Sequence, residues 1–212
     1  MPTTAKICGL STPATLDAAV AGGASHVGFV FFPPSPRNLA FEQAAGLAAR
    51  APTHVTRVGV FVDPSDELLD HAIAAGRLDA VQLHDTAPNR VAAIRARTRR
   101  EVWSAIPVRT RPDLDGARRY AQAADRLLYD AKTPPGSLLP GGMGVRFDWA
   151  LLDGFRSPLP WALSGGLDPA NVADAIRRTG APLVDVSSGV ESAPGVKDAG
   201  KITAFLKAVD QV

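Results

Sequence analysis

The hydrophobic positions of this chain fall into two kinds of segment that alternate from end to end. Short β-branched runs, apolar at nearly every position, occur at Ala5–Cys8, His26–Phe31, Val55–Val62, Ala80–His84, Glu101–Ile106, Arg126–Asp130, Pro160–Leu163 and Leu183–Val186. Continuous apolar character of this kind marks strands covered on both faces, as in a parallel sheet. Between them lie longer, Ala-rich helical segments at Thr12–Ala21, Phe41–Ala51, Ser65–Ala75, Asn89–Arg99, Leu114–Ala124, Asp148–Leu152, Pro169–Thr179 and Ala199–Val209. Several open with helix-start chemistry: Ser11 or Thr12 ahead of Pro13, Pro64-Ser65 ahead of Asp66-Glu67, and Asp168 ahead of Pro169.

Strict alternation implies a parallel sheet, and eight β–α units in 212 residues fit a closed barrel better than an open sheet. The expected fold class is α/β, a single-domain (β/α)8 TIM barrel over residues 1–212, with tight loops. The exception is the Pro- and Gly-rich stretch 131–146 after the sixth strand, a length that in compact domains usually carries function.

Composition narrows the function. With 23 basic and 21 acidic residues the formal net charge is +2, which gives no argument for nucleic acid or an anionic membrane as partner. No apolar run approaches the roughly 18 residues a membrane helix needs. The opening residues Met1–Lys6 do not resemble a signal peptide, so the expected location is cytoplasmic. The one cysteine, Cys8, excludes an intrachain disulfide and a cysteine-rich metal site.

Barrel chemistry gathers at the C-terminal ends of the strands. There the chain places Cys8-Gly9 after strand one, Ser35-Pro36-Arg37 after strand two, His84 at the end of strand four and Asp130 at the end of strand six. Ser164-Gly165-Gly166 follows strand seven and Ser187-Ser188-Gly189 follows strand eight. Loops after strands seven and eight are where many barrels hold phosphate, and glycine lets backbone N–H groups approach an anion. Cys8 reads either as a small buried hydrophobe or as a nucleophile or base. Asp130 reads either as a catalytic carboxyl or as a cap or ion-pair partner of Lys132. A thiol of pKa about 8.5 and a carboxyl of about 3.9 would both need retuning to serve as base and acid. Arg37, held on a Pro-containing turn, suits a bidentate carboxylate contact. His84 reads as a structural hydrogen-bonder, and no histidine pairing has metal-ligand spacing.

Taken together, Lys6-Ile7-Cys8-Gly9-Leu10-Ser11, Val81-Gln82-Leu83-His84, Asp130-Ala131-Lys132-Thr133, Gly141-Gly142-Met143-Gly144, Phe147-Asp148-Trp149, Leu163-Ser164-Gly165-Gly166-Leu167 and Val184-Asp185-Val186-Ser187-Ser188-Gly189-Val190-Glu191 resemble the phosphoribosylanthranilate isomerase family, in order from Lys6 to Glu191. The resemblance implies a (β/α)8 barrel of tryptophan biosynthesis that carries out an Amadori rearrangement without metal or organic cofactor. It implies Cys8 as general base and Asp130 as general acid, Arg37 facing the anthranilate carboxylate, and Gly165, Gly166, Ser187, Ser188 and Gly189 holding the phosphate of a small phosphorylated substrate. Two positions depart from the family pattern: Met143 stands where a small hydroxyl residue is usual, and Asp85 where glycine is usual. Asp85 is expected to point outward.

Strand periodicity adds an inference of its own. Lys6 and Cys8 share a strand face, so a thiol at the barrel mouth puts Lys6 in the barrel interior, where an unpaired ammonium is very costly. Strand eight neighbours strand one in a closed barrel, and Asp185 is the expected partner. Two other functions remain open at this stage: another phosphate-binding barrel enzyme of the sugar-phosphate epimerase type, and a barrel that only binds a phosphorylated metabolite. The first would need metal ligands or paired acids at the strand tips; retention of both Cys8 and Asp130 speaks against the second. A closed barrel has no sheet edge to share, and the expected state is a monomer.

Overall fold

The computed structural model describes residues 2–134, 136–137, 141–142 and 144–212. The departure at Met143 lies outside the described residues. Strands β1 (Thr4–Cys8), β2 (His26–Val30), β3 (Thr56–Val62), β4 (Ala80–His84), β5 (Glu101–Val108), β6 (Arg126–Ala131), β7 (Trp161–Leu163) and β8 (Leu183–Val186) form a closed barrel in chain order. All are parallel, and β8 returns to pair with β1. The helices are α1 (Pro13–Ala21), α2 (Phe41–Arg50), α3 (Asp66–Gly76), α4 (Pro88–Thr98), α5 (Arg111–Gly116), α6 (Val172–Thr179) and α7 (Ala199–Asp210).

Side-chain alternation divides the core in two. One face of the strands packs under the helices, with Ile7, Phe29, Phe61, Leu83, Leu127 and Val184 in a single buried cluster. The other face fills the barrel with Val58, Ala80, Trp103, Ala105, Leu128, Ala162 and Leu183. Above that apolar layer the interior turns polar. Lys6 and Asp185 lie directly opposite each other in register, and Lys6 Nζ donates to Asp185 Oδ1 at 2.8 Å, both side chains being buried. The partner expected from strand periodicity is the observed one.

The departures from the expected elements have local causes. The fifth helix begins three residues earlier than expected because Thr110 and Asp113 form a reciprocal cap with Pro112 in the first turn; it then tightens into a 3-10 turn, Ala117–Tyr120. The sixth is a single 3-10 turn, Trp149–Leu152, capped by Asp148. A feature absent from the sequence expectation follows β8: a short antiparallel hairpin, β9 (Glu191–Ala193) and β10 (Val196–Lys197). Asp85 is exposed, as expected, with φ 47°, a left-handed conformation that explains why glycine would be the ordinary choice there and that aspartate tolerates better than most residues.

Candidate active site

A pocket opens at the C-terminal mouth of the barrel, and nearly all the strand-tip candidates line it: Cys8, Arg37, His84, Asp130, Gly165, Gly166, Ser187 and Ser188. Residues brought from the ends of six different strands share one cavity because parallel strands all end on the same side.

Cys8 sits at the tip of β1 against Val30 and Val60, an apolar wall continued by Phe32. It is 6% exposed, so its sulfur belongs to the pocket surface without being open to bulk solvent. Burial pushes the thiol above its usual range. Lys6 and Lys197 pull the other way, while Asp185 adds to the rise. Lys6, buried in the barrel, is nonetheless held as a cation: burial opposes its charge, but the Asp185 carboxylate outweighs it.

Asp130 ends β6 and is also buried. Its Oδ1 accepts from Ala131 N at 2.9 Å, and its pKa is pushed up to about 7 by burial and then by the negative charge of Asp185. Ser164 Oγ donates to Asp185 Oδ2 at 3.2 Å. The expected alternative for Asp130, an ion pair with Lys132, does not form: Lys132 pairs with Asp113 at 3.5 Å. The backbone of Gly141 lies over the acid, so close that a Cβ there would be 2.6 Å from Asp130 Oδ2. A carboxyl that is half protonated near neutral pH can donate a proton, which an ordinary aspartate cannot.

His84 lies beside this acid and is pushed down to about 4, first by burial and then by the Lys6 charge, so it is neutral at pH 7. Gln82 Nε2 donates to its Nε2 at 3.0 Å. This is the structural hydrogen-bonding role read from the sequence, although the ring also lines the pocket.

At the opposite rim, Gly165 and Gly166 take φ of +91° and +63°, which turns the chain back over the end of β7 in a form that side-chain-bearing residues rarely adopt. Ser188 lines the pocket beside them. Ser187 does so with its hydroxyl already committed: Oγ donates to Cys8 O at 3.3 Å and accepts from Lys197 Nζ at 3.2 Å. Gly189 is outside the pocket lining. A Cβ there would lie 1.9 Å from Leu167 O, so the tight packing of the two loops explains this glycine without a ligand.

Arg37 differs most from its expected surroundings. It is buried, and its bidentate carboxylate partner is internal: Nε donates to Glu191 Oε1 at 2.7 Å and Nη2 to Glu191 Oε2 at 2.8 Å, with a further bond from Nη2 to Gly142 O at 3.0 Å. Lys197 Nζ donates to the same Glu191 Oε1 at 2.6 Å. Sequence reasoning quoted Glu191 only as the end of a motif and did not single out Lys197. The available signal was a glutamate and a lysine flanking a Pro-Gly turn directly after the strand-eight loop, a spacing that makes a hairpin pair.

A closed (β/α)8 barrel with its pocket among the loops at the strand tips defines the class: a barrel enzyme. The comparisons specify the family. The family model described as N-(5'-phosphoribosyl)anthranilate (PRA) isomerase matches residues 5–208, and the chain belongs to that family of isomerases. It is 54% identical over 209 residues to N-(5'-phosphoribosyl)anthranilate isomerase of Paramagnetospirillum magneticum, covering 98% of this chain and 97% of that one. Against the protein of the same name from Paracoccus denitrificans it is 53% identical, covering 97% and 96%. The crystal structure of phosphoribosyl anthranilate isomerase from Thermotoga maritima superposes with a TM-score of 0.88 at 36% identity, over 99% of this chain and 100% of that one. A phosphoribosyl anthranilate isomerase in complex with reduced 1-(o-carboxyphenylamino)-1-deoxyribulose 5-phosphate superposes with a TM-score of 0.85 at 33% identity, over 99% and 100%.

Proposed function

We propose that this enzyme isomerises N-(5'-phosphoribosyl)anthranilate to the corresponding 1-(2-carboxyphenylamino)-1-deoxyribulose 5-phosphate, a step of tryptophan biosynthesis, with Asp130 as general acid and Cys8 as general base. The observation that carries the reading is the shared pocket: a buried carboxyl with a pKa near neutrality and a thiol, on strands from different sides of the barrel, between an arginine and a glycine–serine rim.

Asp130 in its protonated form gives its proton to the furanose ring oxygen, and the C1–O bond opens to a protonated imine. That cation acidifies the proton on C2, and Cys8 thiolate removes it to give an enolamine, which tautomerises to the ketone. The protonated imine is its own electron sink. In the free enzyme burial holds Cys8 as thiol. Removal of the C2 proton therefore falls to the fraction of Cys8 present as thiolate, which the charges of Lys6 and Lys197 increase. Arg37 meets the anthranilate carboxylate. The backbone at Gly165 and Gly166, with Ser187 and Ser188, takes the phosphate; Gly189 supports that rim by packing.

The enzyme acts as a single-domain monomer in the cytoplasm. Among the described residues only Val196 and Val212 are large hydrophobics left exposed, and no helix is long and apolar enough to cross a membrane. Light scattering at working concentration checks the monomer; a dimer mass contradicts it. The reaction itself is tested by mixing the enzyme with N-(5'-phosphoribosyl)anthranilate and following loss of anthranilate-type fluorescence. Turnover is expected in the wild type, and its absence overturns the assignment.

A further inference from the structure

Arg37, Glu191 and Lys197 form a buried cluster at the pocket rim, their side chains 6%, 4% and 1% exposed. Two cations share one carboxylate, so one positive charge is left over in a site shielded from water. Burying such a cluster is costly unless geometry is good and the remaining donors are satisfied. Here almost all are. Lys197 uses its three protons on Glu191 Oε1, on Ser187 O at 2.9 Å and on Ser187 Oγ. Glu191 Oε2 also accepts from Gly195 N at 3.2 Å, the turn of the β9–β10 hairpin. Arg37 spends Nε and Nη2 on Glu191 and Gly142. Its Nη1 makes no hydrogen bond among the described residues, and Arg37 lines the pocket.

We propose that Glu191 is a positioning residue that gives Arg37 its selectivity for a ring carboxylate: by gripping one edge of the guanidinium in a fork, it fixes the direction in which Nη1 is offered to the substrate. The proposal rests on the function proposed above. Charge supports it. The surplus positive charge of the cluster is the complement of a carboxylate, and the lysine keeps Glu191 ionised and in place without contacting the ligand. Burial pushes the Lys197 pKa down, against the pull of Glu191. Removing the Glu191 charge takes away that pull and lowers the Lys197 pKa further. What changes is the aim of the guanidinium, and the effect falls on recognition of the carboxylate rather than on the phosphate end.

The test measures affinity for two probes by titration calorimetry: reduced 1-(o-carboxyphenylamino)-1-deoxyribulose 5-phosphate and its counterpart lacking the ring carboxylate. The wild type should prefer the carboxylated probe by about tenfold to hundredfold, the usual worth of a charge-assisted hydrogen bond. Glu191→Gln should remove most of that preference while binding of the decarboxylated probe changes less than about threefold. Adding Arg37→Ala to Glu191→Gln should lower the preference no further, because the two act as one unit. Should Glu191→Gln fold poorly, Glu191→Asp keeps the charge, withdraws the carboxylate by one methylene, and should lose the preference to a similar extent. A merely structural role would weaken both probes equally; that result, or a Glu191→Gln enzyme with the wild-type preference, overturns the proposal. If the wild type turns over N-(5'-phosphoribosyl)anthranilate but shows no preference for the carboxylate, the function stands and the Glu191 proposal falls. If it turns over nothing, both fall.

Discussion

The two ends of this barrel treat charge in opposite ways. At the N-terminal end, ion pairs such as Arg57–Asp79 at 2.9 Å and Arg126–Glu101 at 3.1 Å keep one or both partners partly in water. At the mouth, Lys6–Asp185 and Arg37–Glu191–Lys197 are sealed in, and Asp130 is buried with no cation in salt-bridge contact among the described residues. The same ions have different consequences. Exposed pairs are screened and contribute little, whereas buried ones retune each other's protonation and cannot lose a partner cheaply. Charges at the first end are nearly neutral for the fold; those at the mouth are costly to bury and sensitive to the loss of a partner.

The sharpest way to test the contrast is catalytic. Asp130→Asn and Cys8→Ser should each lower kcat/KM by about 10²–10⁴-fold, the range for a positioned acid or base, whereas Arg57→Gln should leave it within about twofold. Fluorescence-monitored turnover decides, and a fully active Cys8→Ser enzyme would reassign the base. Next in size is the interior pair. Lys6→Met leaves buried Asp185 without its cation, with Ser164 Oγ as its remaining side-chain donor among the described residues, and should cost about 3–5 kcal/mol in urea unfolding at pH 7, with much of it recovered in Lys6→Met/Asp185→Asn. If the single and double variants are equally unstable, the pair is not what Lys6 contributes.

Titration follows. The folded pKa of Asp130 is raised from 3.8 to about 7, so the folded state binds this proton more tightly than the unfolded chain. Its contribution to stability is complete below pH 3.8 and is lost as pH rises through 7. Asp130→Asn should therefore be more stable than the wild type at pH 8, by roughly 2–4 kcal/mol, while its kcat/KM falls as given above. The histidines act in the reverse sense. His26 and His84 are each lowered from 6.5 to about 4, mainly by burial, so the stability they carry is present above pH 6.5 and lost as pH falls toward 4. His84→Gln should flatten that acid limb in thermal melts. The smallest effect is at the other end: Arg57→Gln should lower stability by at most about 1 kcal/mol, and less in high salt.

Much of the frame was legible because its signals are local or periodic. Apolar runs separated by Ala-rich segments define the β–α repeat, and closure makes β1 and β8 neighbours, which let Lys6 and Asp185 be paired across 179 residues. Asp130 was recognisable as a strand-tip carboxyl, but its raised pKa was not, since that depends on burial and on Asp185 arriving from another strand. Arg37 was expected to make a bidentate carboxylate contact, and the fork it forms is with Glu191. Its internal partner, 154 residues away, was hidden because nothing in the spacing of Glu191 says that the β9–β10 hairpin folds back over the strand-two loop. The fifth helix was misplaced because Thr110 and Asp113 cap each other, a preference stronger than the Ala content downstream.

The bare backbone of Gly141 on Asp130 carries one more consequence. Gly141, eleven residues further along the chain, is part of what keeps water from this carboxyl, so under the proposed mechanism the readiness of Asp130 to give up its proton follows how closely Gly141 lies on it. Replacement of Gly141 by alanine would then be felt first in the basic limb of the rate profile, as a donor that surrenders its proton too early, while grip on the two ends of the substrate would be little altered.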